Sequence, residues 1–177
     1  MHERGKLHAE PRACVPAAVI GAVVDQFAAS LHRRGLEVRI AGELTATCEL
    51  DADALAQILA NLLSNAEKYV PGGLIEIAGT LDNGRLRIVV SDNGPGIPRD
   101  AAERIFRPFE RLDSRVNEGS TGTGLGLSIA RDLARTMGGT LQLQPTLRGA
   151  AFELSVPAPS ARPLAGLDDH PWRTASA

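Results

Sequence analysis

The segment that most constrains the fold reads LIEIAGTLDNGRLRIVVSD and covers residues 74–92. Apolar and polar residues alternate on both sides of Asp-Asn-Gly, and alternation with a period of two is typical of strands that have one buried face. Asn-Gly is the strongest short signal for a turn between antiparallel strands. The segment therefore predicts a β-hairpin, and it favours a largely antiparallel sheet over a doubly wound parallel one.

Helices and shorter strands are predicted around this hairpin. Pro16 can begin a helix that Gly35 ends, and Asp51 is a good N-cap for a second helix that runs to Tyr69. A third helix follows the glycines of TGTGLGLSIARDLA and stops at Gly138. Alternating segments EVRIA, TATCEL, TLQLQ and AFELSV predict further strands. We expect an α/β (α+β) two-layer sandwich, in which about three helices cover one face of a mixed, mostly antiparallel sheet.

Composition favours one soluble domain without a nucleic-acid partner. The chain has 177 residues, 44% of them hydrophobic, and its formal charge of -2 comes from interspersed acidic and basic residues. The most apolar run, residues 13–24, is too short to cross a bilayer and contains Pro16, so we expect no membrane insertion. Cys14 and Cys48 are far apart in sequence without metal-ligand spacing, which fits reduced thiols in a cytoplasmic protein.

The second helix carries three polar residues on one face. Asn61, Asn65 and Lys68 are spaced at i, i+4 and i+7, beside the leucine stripe that we expect to be buried. Asparagine is a poor residue for a helix interior, because its side chain competes for backbone hydrogen bonds. An amide oxygen that ligates a hard cation and a lysine that meets phosphate would explain the pattern. A solvated polar face would explain it as well.

Asp92 directly follows the apolar end of the hairpin, within SDNGPGIP. Its carboxylate could accept a hydrogen bond from an exocyclic amine such as that of adenine, while Gly94 and Gly96 allow a ligand to approach closely. The same residues also make a good turn without any ligand. The long segment from Asn93 to Thr121 has no clear periodicity beyond a short helical piece near DAAERIF, which is more typical of a lid or binding loop than of a connector.

Three glycines precede the third helix. Neither a dinucleotide fingerprint nor a P-loop fits, because Ile129 stands three residues after Gly126 and no lysine follows the glycines. An anion bound at the N-terminus of the helix would explain glycines there, as would tight packing or a hinge. We expect the helix itself to be stabilised by one apolar face, formed by Leu125, Ile129, Leu133 and Met137.

Taken together, these motifs resemble the ATP-binding catalytic domain of sensor histidine kinases, in the group that includes gyrase, the Hsp90 chaperones and MutL. NLLSNAEKY is similar to the N box, DNGPGI to the first glycine box, IFRPFERLD to the phenylalanine box and GTGLGLSIA to the second glycine box. All occur in the family's order, with a lid-length loop between them. The resemblance covers roughly residues 15–157 and implies the Bergerat ATP-binding fold.

The resemblance also implies roles for individual residues. Asn65 would ligate magnesium, Asp92 would select adenine, and Arg111 would reach the γ-phosphate, although Arg107 and Arg115 are also near in sequence. Asn61, Lys68 and Arg111 would form the catalytic set. Phe106 and Phe109 would anchor the lid, Gly122 and Gly124 would form its hinge, and Tyr69 would face the adenine. The residues implied to bind Mg-ATP are Asn61, Asn65, Lys68, Tyr69, Asp92, Gly94, Gly96, Ile97, Phe106, Phe109, Gly122, Thr123, Gly124, Leu125, Gly126 and Leu127.

Position 61 bears on the reaction. Hydrolytic members of the group have a glutamate there that activates water, whereas Asn61 cannot act as a base and Glu67 lies across the helix. That favours phosphoryl transfer, which depends mainly on positioning and charge stabilisation. The histidines fit no phosphoacceptor motif; they are His2, His8, His32 and His170.

We therefore expect a catalytic domain separated from its sensor and phosphoacceptor parts. Residues 1–14 would be an N-terminal linker remnant, 15–157 the ATP-binding catalytic domain, and 158–177 a disordered tail. Its partners would be ATP, the histidine-containing dimerisation domain of the parent kinase and a response regulator. The domain would be cytoplasmic, under a parent sensor that can be anchored in the inner membrane. A stand-alone anti-sigma factor with serine kinase activity and a degenerate domain that only senses nucleotide are the alternatives.

Overall fold

The structure is a computed structural model that describes residues 9–110 and 124–161. Two 3₁₀ turns, Arg99–Ala101 and Arg104–Phe106, lie where the sequence predicts a short helical piece. The helices and strands of the described residues are β1 (Arg12–Cys14), α1 (Pro16–Arg33), β2 (Leu36–Ala41), β3 (Cys48–Leu50), α2 (Ala52–Tyr69), β4 (Gly73–Asp82), β5 (Arg85–Asp92), α3 (Gly126–Thr136), β6 (Thr140–Gln144) and β7 (Ala151–Pro157).

A five-stranded sheet in the order β2-β4-β5-β7-β6 forms one layer. β2 runs parallel to β4, and the other neighbouring strands are antiparallel. The predicted hairpin lies within this sheet as β4 and β5, and the chain turns at Asn83 with φ 50° and Gly84 with φ 71°. Positive φ at both turn residues is what a tight Asn-Gly hairpin requires. The prediction of a mixed, mostly antiparallel sheet is confirmed.

The helices form the second layer and cover one face of the sheet. α2 packs between α1 and α3. Along β5, Leu86, Ile88 and Val90 are buried while the residues between them are more exposed, so the sheet has one core-facing side. The largest side chains that are completely buried come from both layers: Ile20, Leu31, Leu55, Ile58, Leu59, Leu62, Leu63, Ile75, Ile77, Leu86, Ile88 and Leu141.

The packing face of α3 differs from the predicted one at Ile129, whereas Leu133 and Met137 are buried as predicted. Ile129 is 37% exposed, whereas Ala130, Leu133 and Ala134 are buried, so the prediction that Ile129 packs into the core is wrong. Ala130 and Ala134 are small, and small residues on a buried face allow a helix to pack closely on its neighbour, which for α3 includes α2. The prediction weighed hydrophobic size and not the packing of the helices on each other.

Both ends of the described chain meet at β3. β1 pairs antiparallel with one edge of β3, and Cys48 on β3 forms a bridge to Ser160 at the other edge. The Glu49 N–H also donates to the Pro159 carbonyl at 2.8 Å. Secondary structure thus extends on both sides of the predicted range 15–157, while residues 162–177 of the predicted tail lie outside the described residues. No helix in the described part is long and apolar enough to cross a membrane.

Candidate functional site

Both ends of α2 are fixed by side chains. At its start, the Asp51 carboxylate accepts a hydrogen bond from the Ala54 N–H at 2.9 Å, as an N-cap does. At its end, the Arg34 guanidinium donates to the carbonyls of Glu67 and Lys68 at 3.0 and 3.4 Å. These carbonyls lack helical partners, so a cation is favourable there. Arg34 was not predicted as part of the site, because no local pattern links it to a helix so far along the chain.

The polar face of α2 meets the beginning of α3. The Asn61 Nδ2 atom is buried and has no hydrogen-bond partner among the described residues. A Cβ atom added to Gly126 would lie 3.3 Å from Asn61 Oδ1, so the first residue of α3 packs against this amide. Asn65 and Lys68 are half-buried on the same helix, and Tyr69 at its end is 46% exposed. The structure therefore brings Asn61 of the predicted N box to the start of α3.

The N-terminus of α3 lacks a side-chain cap among the residues that the structure describes. Leu125 is the N-cap residue and makes no capping hydrogen bond there, which suits the binding of an anion by the first N–H groups of the helix. Gly124 has φ 70°, and its carbonyl accepts the Phe109 N–H at 3.0 Å. This bond joins the last residues of the range 9–110 to the first residue of the range 124–161. Gly122, Thr123 and Arg111 lie outside the described residues.

Asp92 is held in place by backbone groups from two segments. Its Oδ1 accepts hydrogen bonds from the N–H groups of Gly94 at 2.9 Å and Ala150 at 3.2 Å. The Asp92 N–H in turn donates to the Ala150 carbonyl at 2.9 Å. Two N–H groups on the same oxygen fix the orientation of the carboxylate at the end of β5. The half-buried carboxylate is thus positioned by the fold before any ligand arrives.

Glycines make this close packing possible. A Cβ on Gly94 would lie 2.9 Å from Val70 and from Asp92 Oδ1, and a Cβ on Gly96, where φ is 80°, would lie 2.9 Å from the Gly149 carbonyl oxygen. Gly149 has φ 69°, and a Cβ there would overlap the Asp92 carbonyl oxygen. Gly149 and Ala150 were not predicted from the sequence as part of the site. The only available signal was a glycine two residues before the last strand, which also fits an ordinary turn.

The two phenylalanines predicted to anchor the lid behave differently. Phe106 is buried and packs edge-on against Phe152, with ring centroids 6.2 Å apart. Arg131 on α3 lies over the Phe106 ring at 4.7 Å and also pairs with Glu103 at 2.9 Å. The segment before the loop is thereby attached to α3. Phe109, by contrast, is 74% exposed and has φ 63°, so its ring does not pack as that of Phe106 does.

The remaining predicted apolar contacts lie at the edge of the core. Ile97 and Leu127 are partly buried and pack against it. Leu125 is half-buried at the entrance to α3. These positions place apolar side chains along the segments that carry Asp92 and the uncapped N–H groups.

Comparison with known families agrees with this arrangement. The model of the family described as histidine kinase-, DNA gyrase B- and HSP90-like ATPase matches residues 50–160. The chain belongs to this ATPase family. The matched range begins just before α2 and includes both helices that meet at Asn61 and Gly126. The family predicted from the motifs is therefore confirmed.

The relatives of this ATPase domain are sensor proteins. The chain is 39% identical over 131 residues to the sensor protein CutS of Streptomyces coelicolor, covering 73% of this chain and 31% of CutS. It is 35% identical over 155 residues to the sensor protein KdpD of Mycobacterium tuberculosis, covering 86% of this chain and 18% of KdpD. The chain thus spans less than a third of the length of these curated relatives.

Solved structures confirm the predicted fold of the ATPase domain. The chain is similar to full-length ShkA in complex with AMPPNP, with a TM-score of 0.77 and 30% identity over 88% of this chain and 32% of that one. It is also similar to the nucleotide-free catalytic domain of the histidine kinase ThkA, with a TM-score of 0.74 and 26% identity over 84% of this chain and 95% of that one. The domain therefore has the Bergerat fold of histidine kinase catalytic domains.

Proposed function

We propose that this domain binds Mg-ATP between α2 and α3 and transfers the γ-phosphoryl group to a histidine on a separate dimerisation domain, from which a response regulator receives it. The observation that carries the proposal is the buried Asn61 amide, which faces the uncapped start of α3. Within residues 9–110 and 124–161, an amide nitrogen without a partner and helix N–H groups without a side-chain cap meet at one place. Phosphate oxygens would satisfy both.

The adenine would bind at the other end of this groove. Asp92 is oriented by two N–H groups and would accept a hydrogen bond from the adenine amino group. Gly94 and Gly96 would allow the ring to approach the backbone, and the exposed Tyr69 ring would cover one side of it. A guanine presents a carbonyl where adenine has its amine, so the same carboxylate would reject it.

The donor set also fits magnesium. Asn65 would offer its side-chain oxygen beside Lys68, and Mg²⁺ characteristically takes one or two protein oxygens together with phosphate oxygens and water. When bound, the ion would neutralise charge on the β- and γ-phosphates. Lys68 would contact the same phosphates from the last turn of α2. Arg111 would reach the γ-phosphate from the loop, as its motif implies.

The absence of a carboxylate at position 61 favours transfer over hydrolysis. Asn61 can hold a water molecule or a phosphate oxygen by hydrogen bonds but cannot accept a proton as a base. The domain would then position ATP, and the acceptor histidine of the partner domain would supply the nucleophile. Because this chemistry uses the ATP of the cytoplasm, we place the domain there, beneath a parent sensor that can be anchored in the inner membrane.

Phosphoryl transfer to an isolated acceptor domain tests the proposal. The purified chain is mixed with γ-labelled ATP, magnesium and the histidine-containing domain of a related kinase. Acid-labile label on histidine is the expected result. Acid-stable label on a serine of an added protein substrate would indicate the serine kinase alternative, and nucleotide binding without any label would indicate a domain that only senses ATP.

Asn65→Ala tests the metal site separately from the transfer reaction. We expect the variant to lose the magnesium-dependent part of its ATP affinity, measured by calorimetry with magnesium and with EDTA, while its unfolding temperature is unchanged. Gln57→Ala is the matched control, because it removes an exposed side-chain amide from the same helix, about 12 Å away along the axis. Equal affinity of wild type and Asn65→Ala under both conditions would remove Asn65 from the metal site.

A further inference from the structure

Two cysteines that are far apart in sequence lie opposite each other in the fold. Cys14 of β1 is the direct cross-strand partner of Cys48 of β3, so the two side chains lie on the same face of the strand pair. Directly opposed residues of antiparallel strands have Cα atoms about 4.5–5.5 Å apart. Disulfides span about 4.4–6.8 Å between Cα atoms. The pair can therefore be bridged without a change of register.

The two thiols differ in their access to solvent. Cys48 is completely buried, whereas Cys14 is half-buried, so a small oxidant reaches Cys14 first. The backbone around the pair is also fixed. The Glu10 N–H donates to Asp51 Oδ2 at 2.9 Å, and the Glu49 N–H on the other edge of β3 donates to Pro159 at 2.8 Å. These bonds keep the sulfurs opposed.

We propose that Cys14 and Cys48 form a reversible disulfide that locks β1 onto β3 when the protein meets a peroxide. The Cys14 sulfur attacks one peroxide oxygen and the O–O bond breaks. This step gives a sulfenic acid on Cys14 and releases one molecule of water. The Cys48 sulfur then attacks the Cys14 sulfur, the S–O bond breaks, and a second water leaves. Two thiols and one hydrogen peroxide thus become one disulfide and two waters.

The surroundings of the thiols set the rate of this reaction. Burial raises the pKa of Cys14, partly offset by its hydrogen bond from Cys48, and the nearby Asp51 carboxylate raises it further. Burial also raises the pKa of Cys48 to about 11, with the charge of Cys14 as the next cause. Because the thiolate is the nucleophile, oxidation is slow at neutral pH and becomes faster as the pH rises.

The lock would act at a distance from the nucleotide residues. β3 leads into the first turn of α2, and Asn65 lies about 20 Å further along that helix. The disulfide would enclose α1 and β2 in a closed loop and restrict the unfolded chain. We therefore expect a more stable domain with a fixed first strand and an unchanged affinity for ATP.

Oxidation of the native chain tests the proposal. The protein is treated with a small excess of hydrogen peroxide at pH 8.5, alkylated with N-ethylmaleimide, and measured by intact and peptide mass spectrometry. We expect loss of two hydrogens, a peptide that joins Cys14 to Cys48, reversal by dithiothreitol, and an unfolding temperature raised by about 10 °C. Slower amide exchange in β1 should accompany the bond.

Matched variants keep the test decisive. Cys14→Ser removes the half-buried partner with little change in volume and should abolish both the linked peptide and the increase in stability. Cys48→Ala is the second variant, because an alanine at this buried position adds no polar group that lacks a partner. Persistent alkylation of both native cysteines, or their conversion to sulfinic acids without a linked peptide, would overturn the proposal, as would bonds formed only between molecules.

Discussion

At the scale of single residues, Asp92 is the group whose position depends most on the fold. Its Oδ1 is held by the N–H groups of Gly94 and Ala150, so an asparagine can retain both bonds through its own side-chain oxygen. Replacing Asp92 by asparagine therefore changes the charge of the side chain while its shape stays nearly the same. The substitution removes the negative charge offered to adenine and leaves the turn intact.

We expect Asp92→Asn to weaken ATP binding by about 10- to 100-fold, since a hydrogen bond to a charged group is worth about 1.5–3 kcal/mol. The affinity for GTP should change less, so discrimination between the nucleotides falls. Calorimetric titration with both nucleotides measures this, and Asp82→Asn serves as the control, because that exposed carboxylate bonds only the side chain of Asn83 among the described residues. Equal loss for both nucleotides would make Asp92 a structural residue.

At the scale of elements, the turn between β6 and β7 supports the end of β5. Gly149 has φ 69°, and a Cβ added to it would overlap the Asp92 carbonyl oxygen, so no side chain fits there. An alanine would need a left-handed conformation, which costs about 1–2 kcal/mol, and would also push the backbone of Asp92 away. The element that bears Asp92 thus depends on a glycine in a distant turn.

We expect Gly149→Ala to lower the unfolding temperature and to reduce ATP affinity together, because the same displacement causes both effects. Gly21→Ala is the matched substitution: Gly21 lies within α1 with no atom within 4 Å of an added Cβ. Alanine there should stabilise the protein by about 0.5–1 kcal/mol without changing ATP affinity. Thermal unfolding and nucleotide titration of both variants provide the measurement. A Gly149→Ala protein with native stability and affinity would contradict this account of the turn.

Elements with a strong local pattern were predicted well from the sequence. The hairpin at Asn83 and Gly84 and the helix capped by Asp51 follow from the residues within them. The features that were missed depend on contacts between distant segments. Ile129 is exposed while the smaller Ala130 and Ala134 are buried, and a sequence pattern shows the size of a side chain but not which element packs against it.

The residues of the candidate site also fall into those predicted from a local pattern and those that depend on distant contacts. The residues of α2 and the hairpin could be placed from their spacing and from the resemblance to the family. Arg34 and Gly149 could not, because each acts on a backbone that is far away in sequence. The exposure of the Phe109 ring was not predicted either. A motif gives the order of its residues, but it does not show which of two phenylalanine rings is buried in the core.

At the scale of the whole molecule, β3 connects β1, the segment at Ser160 and the start of α2. Its edges bind β1 and the segment at Ser160, and its last residue leads to the capped start of α2. Cys48 is completely buried at this junction. The protonation state of its thiol therefore affects the stability of the whole domain.

The reduced protein should lose stability between about pH 9 and pH 11. Burial, followed by the charge of Cys14, raises the pKa of Cys48 from its ordinary value of 9.0 to about 11. The unfolded chain then releases the proton near pH 9, while the folded chain still holds it. The contribution of the Cys48 thiol to the free energy of unfolding is complete below pH 9. As the pH rises towards 11, it decreases by up to about 1.4 kcal/mol per pH unit, because the folded chain keeps a proton that the unfolded chain has released.

Denaturant unfolding of the reduced protein across this pH range measures the effect. The informative quantity is the difference in slope from Cys48→Ala, which keeps every other ionisable side chain of the wild type. Wild type should become unstable more steeply than the variant, because only wild type has the buried thiol. The oxidised protein, whose sulfurs carry no protons, should lose stability less steeply than the reduced wild type. Parallel curves for reduced wild type and Cys48→Ala would show that Cys48 has the same pKa in the folded and unfolded chains.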